Sequence, residues 1–138
     1  MTINPKTYPM KTFFFFLPLL WSCLYAQTPN DTMVRLSEIE IDPTYLQQYN
    51  AILQLESKAS VTLEPGVIAI YPMATKENPC LIRILEIYAN KTAYQNHLKT
   101  PHFLEYKTST LHMVKSLKLV DMNALDPATM SVLFRKMQ

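Results

Sequence analysis

Residues 86–103, EIYANKTAYQNHLKTPHF, place a carboxylate, a phenol and two imidazoles in one short stretch of the chain. Glu86 and Tyr88 end a strand-like run two residues apart, so their side chains would share one strand face. His97 is the best candidate for a general base, because an unperturbed imidazole loses its proton near pH ~6.5. His102 could orient His97. The stretch therefore predicts a site for proton abstraction.

Each of these residues also has a purely structural interpretation. His97 could interact with the dipole of a helix C-terminus, and His102, just after a helix cap, could bond only to backbone. Glu86 lies on an otherwise apolar strand, where a buried carboxylate needs a partner. Arg83 is on the opposite strand face, so an ion pair of Glu86 across a subunit interface stays open beside a catalytic role. Tyr88 could be a core aromatic residue.

The spacing of these residues predicts no metal site. His97 and His102 are five residues apart, whereas ligands on one helix face are three or four apart. Cys80 is remote in sequence, and no second carboxylate is close to either histidine in the sequence.

An export signal is predicted at the N-terminus. Lys6 and Lys11 precede FFFFLPLLWSCLYA, an apolar run that is short for a membrane span and suits a secretory signal. Cleavage after Ala26 would release an exported, periplasmic protein. Lipid attachment at Cys23, within LWSC, is the alternative and would anchor the protein without a membrane span.

The charge balance excludes nucleic acid as a partner. Of 13 basic residues, two belong to the predicted signal, which leaves 11 against 11 acidic residues in the mature chain. A neutral chain without a basic cluster gives no electrostatic footprint for DNA or RNA. Cys80 would be the single mature cysteine, so no intrachain disulfide is expected and the side chain is predicted to be a small buried hydrophobe.

The first half of the mature chain predicts a strand, a long helix and a second strand. MVRLSEIEI (33–41) is rich in β-branched and apolar residues, and Asp42 and Pro43 can cap and start the helix that follows. The helix has one mostly apolar face, formed by Tyr45, Leu46, Tyr49, Ile52, Leu53, Glu56 and Ala59. Gly66, the single glycine, predicts a turn or left-handed backbone before VIAIYPMAT (67–75).

The second half predicts another strand, two short helices, a last strand and a C-terminal helix. CLIRILEIY (80–88) follows the turn KENP, Asn90 and Thr100 can cap two helices, and SLKLVDM (116–122) alternates as a strand does. Residues 126–138 predict a docked amphipathic helix with Met130, Leu133, Phe134 and Met137 on one face. The order β-α-β-β-α-α-β is the ferredoxin-like split βαβ arrangement, an α+β fold. Because both hairpin strands are almost wholly apolar, a second subunit is expected to cover the outer face of the sheet.

The segments LEPGVIAIYPM and IRILEIYANKTAYQNHLKTPHF resemble the antibiotic biosynthesis monooxygenase family over about residues 33–122. The resembling features are the EPG turn, the Glu-x-aromatic strand end and HLKTPHF, in the family's order. The resemblance implies a homodimeric α+β barrel with a pocket between sheet and helices. Its nearest branch implies a cofactor-free monooxygenase that oxidises a small quinol or related electron-rich aromatic with O2, in which His102 could also bind the leaving peroxide.

The haem-degrading branch of the same family fits less well. The resemblance would place that branch's tryptophan at His97 and its haem-ligating histidine at Lys107. The one tryptophan, Trp21, leaves with the predicted signal. Two alternatives to the monooxygenase stay open: a non-catalytic periplasmic module that binds a small molecule, and a non-oxidative isomerase on the same scaffold.

Overall fold

A computed structural model describes residues 31–136, apart from the side chains of Ser131 and Phe134. Its elements in chain order are β1 (Met33–Ile41), a 3-10 turn (Pro43–Tyr45), α1 (Leu46–Leu63), β2 (Val67–Ala74), β3 (Leu81–Tyr88), α2 (Lys91–His97), α3 (Pro101–Thr110), a second 3-10 turn (Leu111–Met113), β4 (Val114–Met122) and α4 (Pro127–Lys136). The predicted signal and Cys23 lie outside the described residues. Among the described helices, none is both long and apolar enough to cross a membrane.

The four strands form one antiparallel sheet in the order β2-β3-β1-β4. In the central strand β1, Ser37 pairs with Ile84 of β3 on one side and with Leu119 of β4 on the other. One helix joins β1 to β2, and two helices join β3 to β4. This is the ferredoxin-like α+β arrangement, which confirms the predicted fold class. A dimeric barrel stays a prediction.

The two faces of the sheet differ in their cover. On β1 the alternate residues Arg35, Ser37, Ile39 and Ile41 are buried, whereas their neighbours in sequence are half-buried. The buried face packs against the helices in a core that includes Ile82 and Ile84 of β3, Tyr49 and Leu53 of α1, and Met113. The helical face therefore contains most of the core and the buried polar groups.

Three predicted helix caps are present. Asp42 accepts a hydrogen bond from the backbone N–H of Thr44, and Asn90 accepts one from that of Ala93 at 2.8 Å. The Thr100 hydroxyl accepts from the Phe103 N–H, and Pro101 occupies the first turn of α3. The Thr100 cap ends one helix and starts the next, so His97 and His102 lie on different helices.

Gly66 is a turn residue, but it does not adopt the left-handed backbone that the sequence allowed. Its small size is required instead, because a Cβ at Gly66 would lie 2.5 Å from the Cβ of Ala93. The carbonyl of Gly66 also accepts a hydrogen bond from the Ala89 N–H at 2.8 Å. The glycine thus lets α2 lie directly against the turn that follows α1, close to Glu64.

The remaining differences from the predicted elements are small shifts of boundaries. β3 begins at Leu81, and Cys80 is a buried residue just before it, consistent with a small hydrophobe. β4 begins two residues earlier than expected, at Val114, with a register shift opposite Ile41. α4 is present from Pro127 to Lys136, with Met130 half-buried and Leu133 exposed.

Candidate active site

A cavity of about 470 Å³ lies between the helical face of the sheet and helices α1 to α3. Apolar side chains form much of its wall, among them Ile39, Leu53, Ile70, Ile84 and Phe103. Leu117 and Leu119 of β4 also line it and are 58% and 50% exposed, so the cavity opens toward that strand. Its size and apolar lining fit a small-molecule ligand.

Glu86 and Tyr88 form one polar cluster on the cavity wall, as the strand period predicted. The Tyr88 hydroxyl donates to Glu86 Oε2 at 2.8 Å, and the Ser37 hydroxyl donates to Oε1. Burial and the adjacent Glu86 carboxylate raise the pKa of Tyr88, so its phenol stays protonated and remains a donor. The partners of Glu86 are thus neutral hydroxyls of the same chain.

Glu56 of α1 is a second buried carboxyl on the cavity wall, and its chemical role was not identified from the sequence. Its exposure is 6%, and the Ser60 hydroxyl donates to its Oε1 at 2.7 Å. Burial raises the pKa of Glu56, although the Ser60 hydrogen bond and the nearby His97 oppose the shift. The sequence feature that could have identified Glu56 is a carboxylate within the apolar face of a helix.

His97 lines the cavity and is 3% exposed at the end of α2. Its Nδ1 is 2.9 Å from Glu64 Oε1, and its Nε2 is 3.8 Å from Glu56 Oε1. The rings of Tyr88 and Phe103 pack beside it, with centroids 5.5 and 4.7 Å away. Both nitrogens of the imidazole therefore face carboxyl groups, and His97 lies between α1 and the cavity.

His102 reaches the same carboxylate from α3, since its Nε2 is 2.6 Å from Glu64 Oε1. It is not among the residues that line the cavity. Partial burial opposes ionisation of Glu64, but hydrogen bonds from His97 and His102 outweigh it and lower the pKa of Glu64. An ionised carboxylate can only accept hydrogen bonds, so both facing ring nitrogens carry protons. Glu64, in the EPG turn, was not identified from the sequence as a site residue.

Glu64, His97 and His102 are also the residues that could hold a metal ion, because each offers a ligand atom within 4.8 Å of the others. The sequence argument against a site used the spacing of ligands on one helix face, which does not apply here, because the predicted Thr100 cap places the two histidines on different helices. Two imidazoles and a carboxylate are suitable ligands for a divalent cation. As the structure stands, the ring nitrogens donate to the carboxylate.

Two further polar contacts involve residues of the cavity wall, namely Arg35, Tyr94 and Tyr106. The hydroxyls of Tyr49 and Tyr106 are 2.6 Å apart, and burial raises the pKa of Tyr49 to about 12. Arg35 stacks on Tyr94 with its guanidinium carbon 4.5 Å from the ring centroid, and forms an ion pair with Asp121. None of these residues was identified from the sequence as a site residue, because the contacts join elements that are distant in the chain.

The protein is a ferredoxin-like α+β protein. It has an apolar cavity on the helical face of the sheet, and buried acid and imidazole groups at one end. Residues 32–109, more than half of the chain, match the family Antibiotic biosynthesis monooxygenase. The chain belongs to this family, and the membership supports a general monooxygenase-like role.

Solved structures agree with this assignment. A crystal structure from Bacteroides thetaiotaomicron, named for the same family, is 50% identical with a TM-score of 0.72 and covers 73% of this chain and 96% of its own. A structure from Lactobacillus acidophilus, named for a monooxygenase, is 30% identical with a TM-score of 0.66; the match spans 67% of this chain and 44% of that one. A protein from Nitrosomonas europaea, 16% identical with a TM-score of 0.66 over 70% and 93% of the two chains, shows the fold alone. The comparison with curated proteins found no match.

Proposed function

We propose that this protein is a cofactor-independent monooxygenase that oxidises a small quinol or related electron-rich aromatic with O2. The observation that carries the proposal is His97, buried at the wall of an apolar cavity with one nitrogen bonded to Glu64 and the other directed toward Glu56. One atom of O2 would form a new carbon–oxygen bond and the other would leave as water. The substrate supplies all the electrons, and the two hydrogens of the water come from the quinol.

The cavity supports an aromatic substrate. Its volume of about 470 Å³ accommodates a ring with small substituents, and Leu53, Ile70 and Phe103 offer apolar surface to such a ring. Glu86 lies on the same wall and is a hydrogen-bond acceptor for a second hydroxyl group of a quinol. A substrate with an ionisable hydroxyl would thus find an apolar wall and a polar end.

His97 would remove the phenolic proton. Because its Nδ1–H donates to the ionised Glu64, a neutral imidazole has its lone pair on Nε2. The phenol proton would move to Nε2, and the electron-rich anion would then transfer an electron to O2. Recombination at a ring carbon that carries hydrogen gives a peroxide anion, and its distal oxygen would take the proton held by His97. The ring carbon would then lose its hydrogen as a proton and form a carbonyl as the O–O bond breaks, and this proton joins the released hydroxide to give water.

The outer face of the sheet supports a homodimer. Leu36 and Leu85 are directly paired at its centre, and the neighbouring Tyr71 is 57% exposed. The charged residues Glu38 and Arg83 are paired with each other toward one end. A second copy that packs on this face would bury an apolar surface that a soluble monomer rarely exposes. Export to the periplasm, or anchoring at Cys23, stays a prediction.

Isotope labelling tests the reaction class. Under ¹⁸O2, the product of a quinol should contain one ¹⁸O atom and the released water the other, as measured by mass spectrometry. A product without label, or a quinol oxidised to quinone with H2O2 as the sole reduced oxygen species, would contradict a monooxygenase. Chelator-treated protein is the control, and it should keep the wild-type rate.

A further inference from the structure

We propose that the preferred substrate of the cavity is a quinol with an acidic side chain, and that Lys107 and Lys115 bind its carboxylate where the cavity opens. The inference rests on the proposed function, because it specifies which quinols the same cavity accepts. Both lysines line the cavity, Lys107 from α3 and Lys115 from β4. Neither takes part in the proton transfer to His97.

Charged groups are divided between a buried end and an exposed end of the cavity. At the buried end, Glu56 and His97 are 6% and 3% exposed, and Glu86 lies on the same wall. Lys107 and Lys115 are both exposed, as are the leucines of β4 at which the cavity opens. A bound molecule therefore meets carboxyl groups at one end and lysine side chains at the other.

Both lysines are available to a ligand. Within residues 31–136, neither forms an ion pair with a carboxylate. The pKa of Asp42 is lowered mainly by the hydrogen bond from the Thr44 N–H, and Lys115 is the weakest cause of this shift. A substrate carboxylate at the mouth of the cavity would therefore not have to displace a carboxylate of these residues.

Arg35 is a third cation of the cavity wall, but its charge is already neutralised. Asp121 Oδ1 accepts hydrogen bonds from its Nε at 2.8 Å and from its Nη2 at 2.6 Å. The guanidinium also stacks on the ring of Tyr94. Arg35 is thus held by partners in its own chain, whereas the two lysines offer charge that these residues do not neutralise.

Lys107 lies within reach of a ring bound beside His97. The ring centroids of Phe103 and His97 are 4.7 Å apart, and Lys107 follows Phe103 by four residues on α3, a rise of about 6 Å. Phe103 and Lys107 both line the cavity. A ring that packs on Phe103 can therefore extend a short side chain along α3 to Lys107, and Lys115 lines the cavity from β4.

The two ends of the cavity would orient the substrate. A carboxylate at the buried end would lose its hydration and face Glu56 and Glu86, whereas at the mouth it keeps contact with water and gains two cations. The molecule would therefore enter with its hydroxyl group first, toward Nε2 of His97. Binding energy at the mouth then places the reacting hydroxyl at the base, which is how a remote substrate group accelerates a reaction.

A matched pair of substrates tests the preference. One is a hydroquinone with a propanoate side chain, and the other is its amide, which has nearly the same size but no charge. Wild-type protein should oxidise the acid with a kcat/KM at least ~5-fold above that of the amide, since each exposed ion pair contributes a modest gain. In the double variant Lys107→Gln/Lys115→Gln, the kcat/KM of the acid should fall to that of the amide.

The control is Lys58→Gln/Lys76→Gln, because both lysines are exposed and lie outside the cavity, and it should keep the wild-type preference. Equal kcat/KM values for acid and amide in wild-type protein would overturn the proposal. So would a preference for the acid that survives in Lys107→Gln/Lys115→Gln. A preference for a neutral, alkyl-substituted hydroquinone over the acid would also overturn it, and would assign the mouth to apolar tails that pack on its exposed leucines.

Binding without oxygen separates this proposal from the proposed function. Under argon, calorimetry should show that the acid binds wild-type protein at least ~5-fold more tightly than the amide, and the difference should shrink at high salt. If this preference is present but no quinol causes oxygen uptake, the proposed function fails and the carboxylate site stands. If oxygen is consumed but acid and amide bind equally, the carboxylate site is refuted and the proposed function stands.

Discussion

Nε2 of His97 and Oε1 of Glu56 face each other at 3.8 Å, and both side chains are almost fully buried. This distance is too long for a direct hydrogen bond, so within residues 31–136 this nitrogen has no hydrogen-bond partner at short range on its cavity side. A substrate hydroxyl can therefore approach Nε2 without breaking a bond within the protein. Burial raises the pKa of Glu56, and the Ser60 hydrogen bond and His97 oppose this shift.

His97→Ala should separate catalysis from stability. A general base contributes about 10²–10⁴-fold to a rate, so oxygen uptake with a quinol should fall at least ~100-fold. The melting temperature should shift by a few degrees, because the lost hydrogen bond to Glu64 contributes on the order of 1–3 kcal/mol. His112→Ala is the matched control, since His112 is exposed and outside the cavity, and it should change neither value. A folded His97→Ala protein with an intact rate would show that His97 is not the base.

Glu56→Gln should change the dependence of stability on pH. The pKa of Glu56 is raised above its ordinary value of 4.5 by burial, with Ser60, His97 and His102 opposing the shift and Glu86 adding to it. A group with a raised pKa contributes stability that is complete below its unfolded-state pKa and is lost as pH rises through the folded-state pKa. The stability of Glu56→Gln relative to wild type should therefore increase between pH ~4 and pH ~8. Thermal unfolding at a series of pH values measures this; a constant difference would contradict the burial of an ionisable Glu56.

Gly66→Ala should destabilise the protein by crowding α2. The new Cβ would lie 2.5 Å from the Cβ of Ala93, and overpacking of this kind costs about 1–3 kcal/mol. Ala93→Gly removes the opposing methyl group at a cost of about 1 kcal/mol in the helix. If the contact is the cause, Ala93→Gly should be less costly in the Gly66→Ala background than alone. Additive free energies of unfolding in this double-mutant cycle would refute the steric explanation.

Leu85→Arg should prevent dimerisation. Leu85 pairs with Leu36 on β1 and with Tyr71 on β2 at the centre of the outer face, so a guanidinium there would be buried without a partner in the dimer. Light scattering of mature wild-type protein at micromolar concentration should give twice the chain mass, and the variant should give the monomer mass. Leu55→Arg is the control, because Leu55 is exposed on α1, away from this face. A monomeric wild-type protein would disprove the dimer.

Local sequence signals were sufficient to predict much of the fold. The caps Asn90 and Thr100 and the alternation in β1 act within a few residues, and the strand period placed Glu86 and Tyr88 on one face. The contacts between elements that are distant in the chain could not be predicted from such local signals. Glu56 was recognised as part of an apolar helix face and Glu64 as part of a turn, but neither position revealed that α2 would bring His97 between them.

The spacing argument for the histidines failed for a related reason. His97 and His102 are five positions apart, a spacing that on one helix would direct the two rings apart. The Thr100 cap divides the segment into two helices, and both rings then reach Glu64. A single cap residue therefore changed the geometry that the spacing alone implied.

Oxygen uptake by metal-free, mature protein against a panel of quinols and phenols tests the central claim most directly. The account predicts substrate-dependent uptake by wild-type protein, unchanged after chelation and reduced at least ~100-fold in His97→Ala. Uptake at the buffer rate with every quinol, from protein that is folded, would contradict it. Saturable binding of a quinol in that case would favour a binding module, and its anaerobic conversion would favour an isomerase.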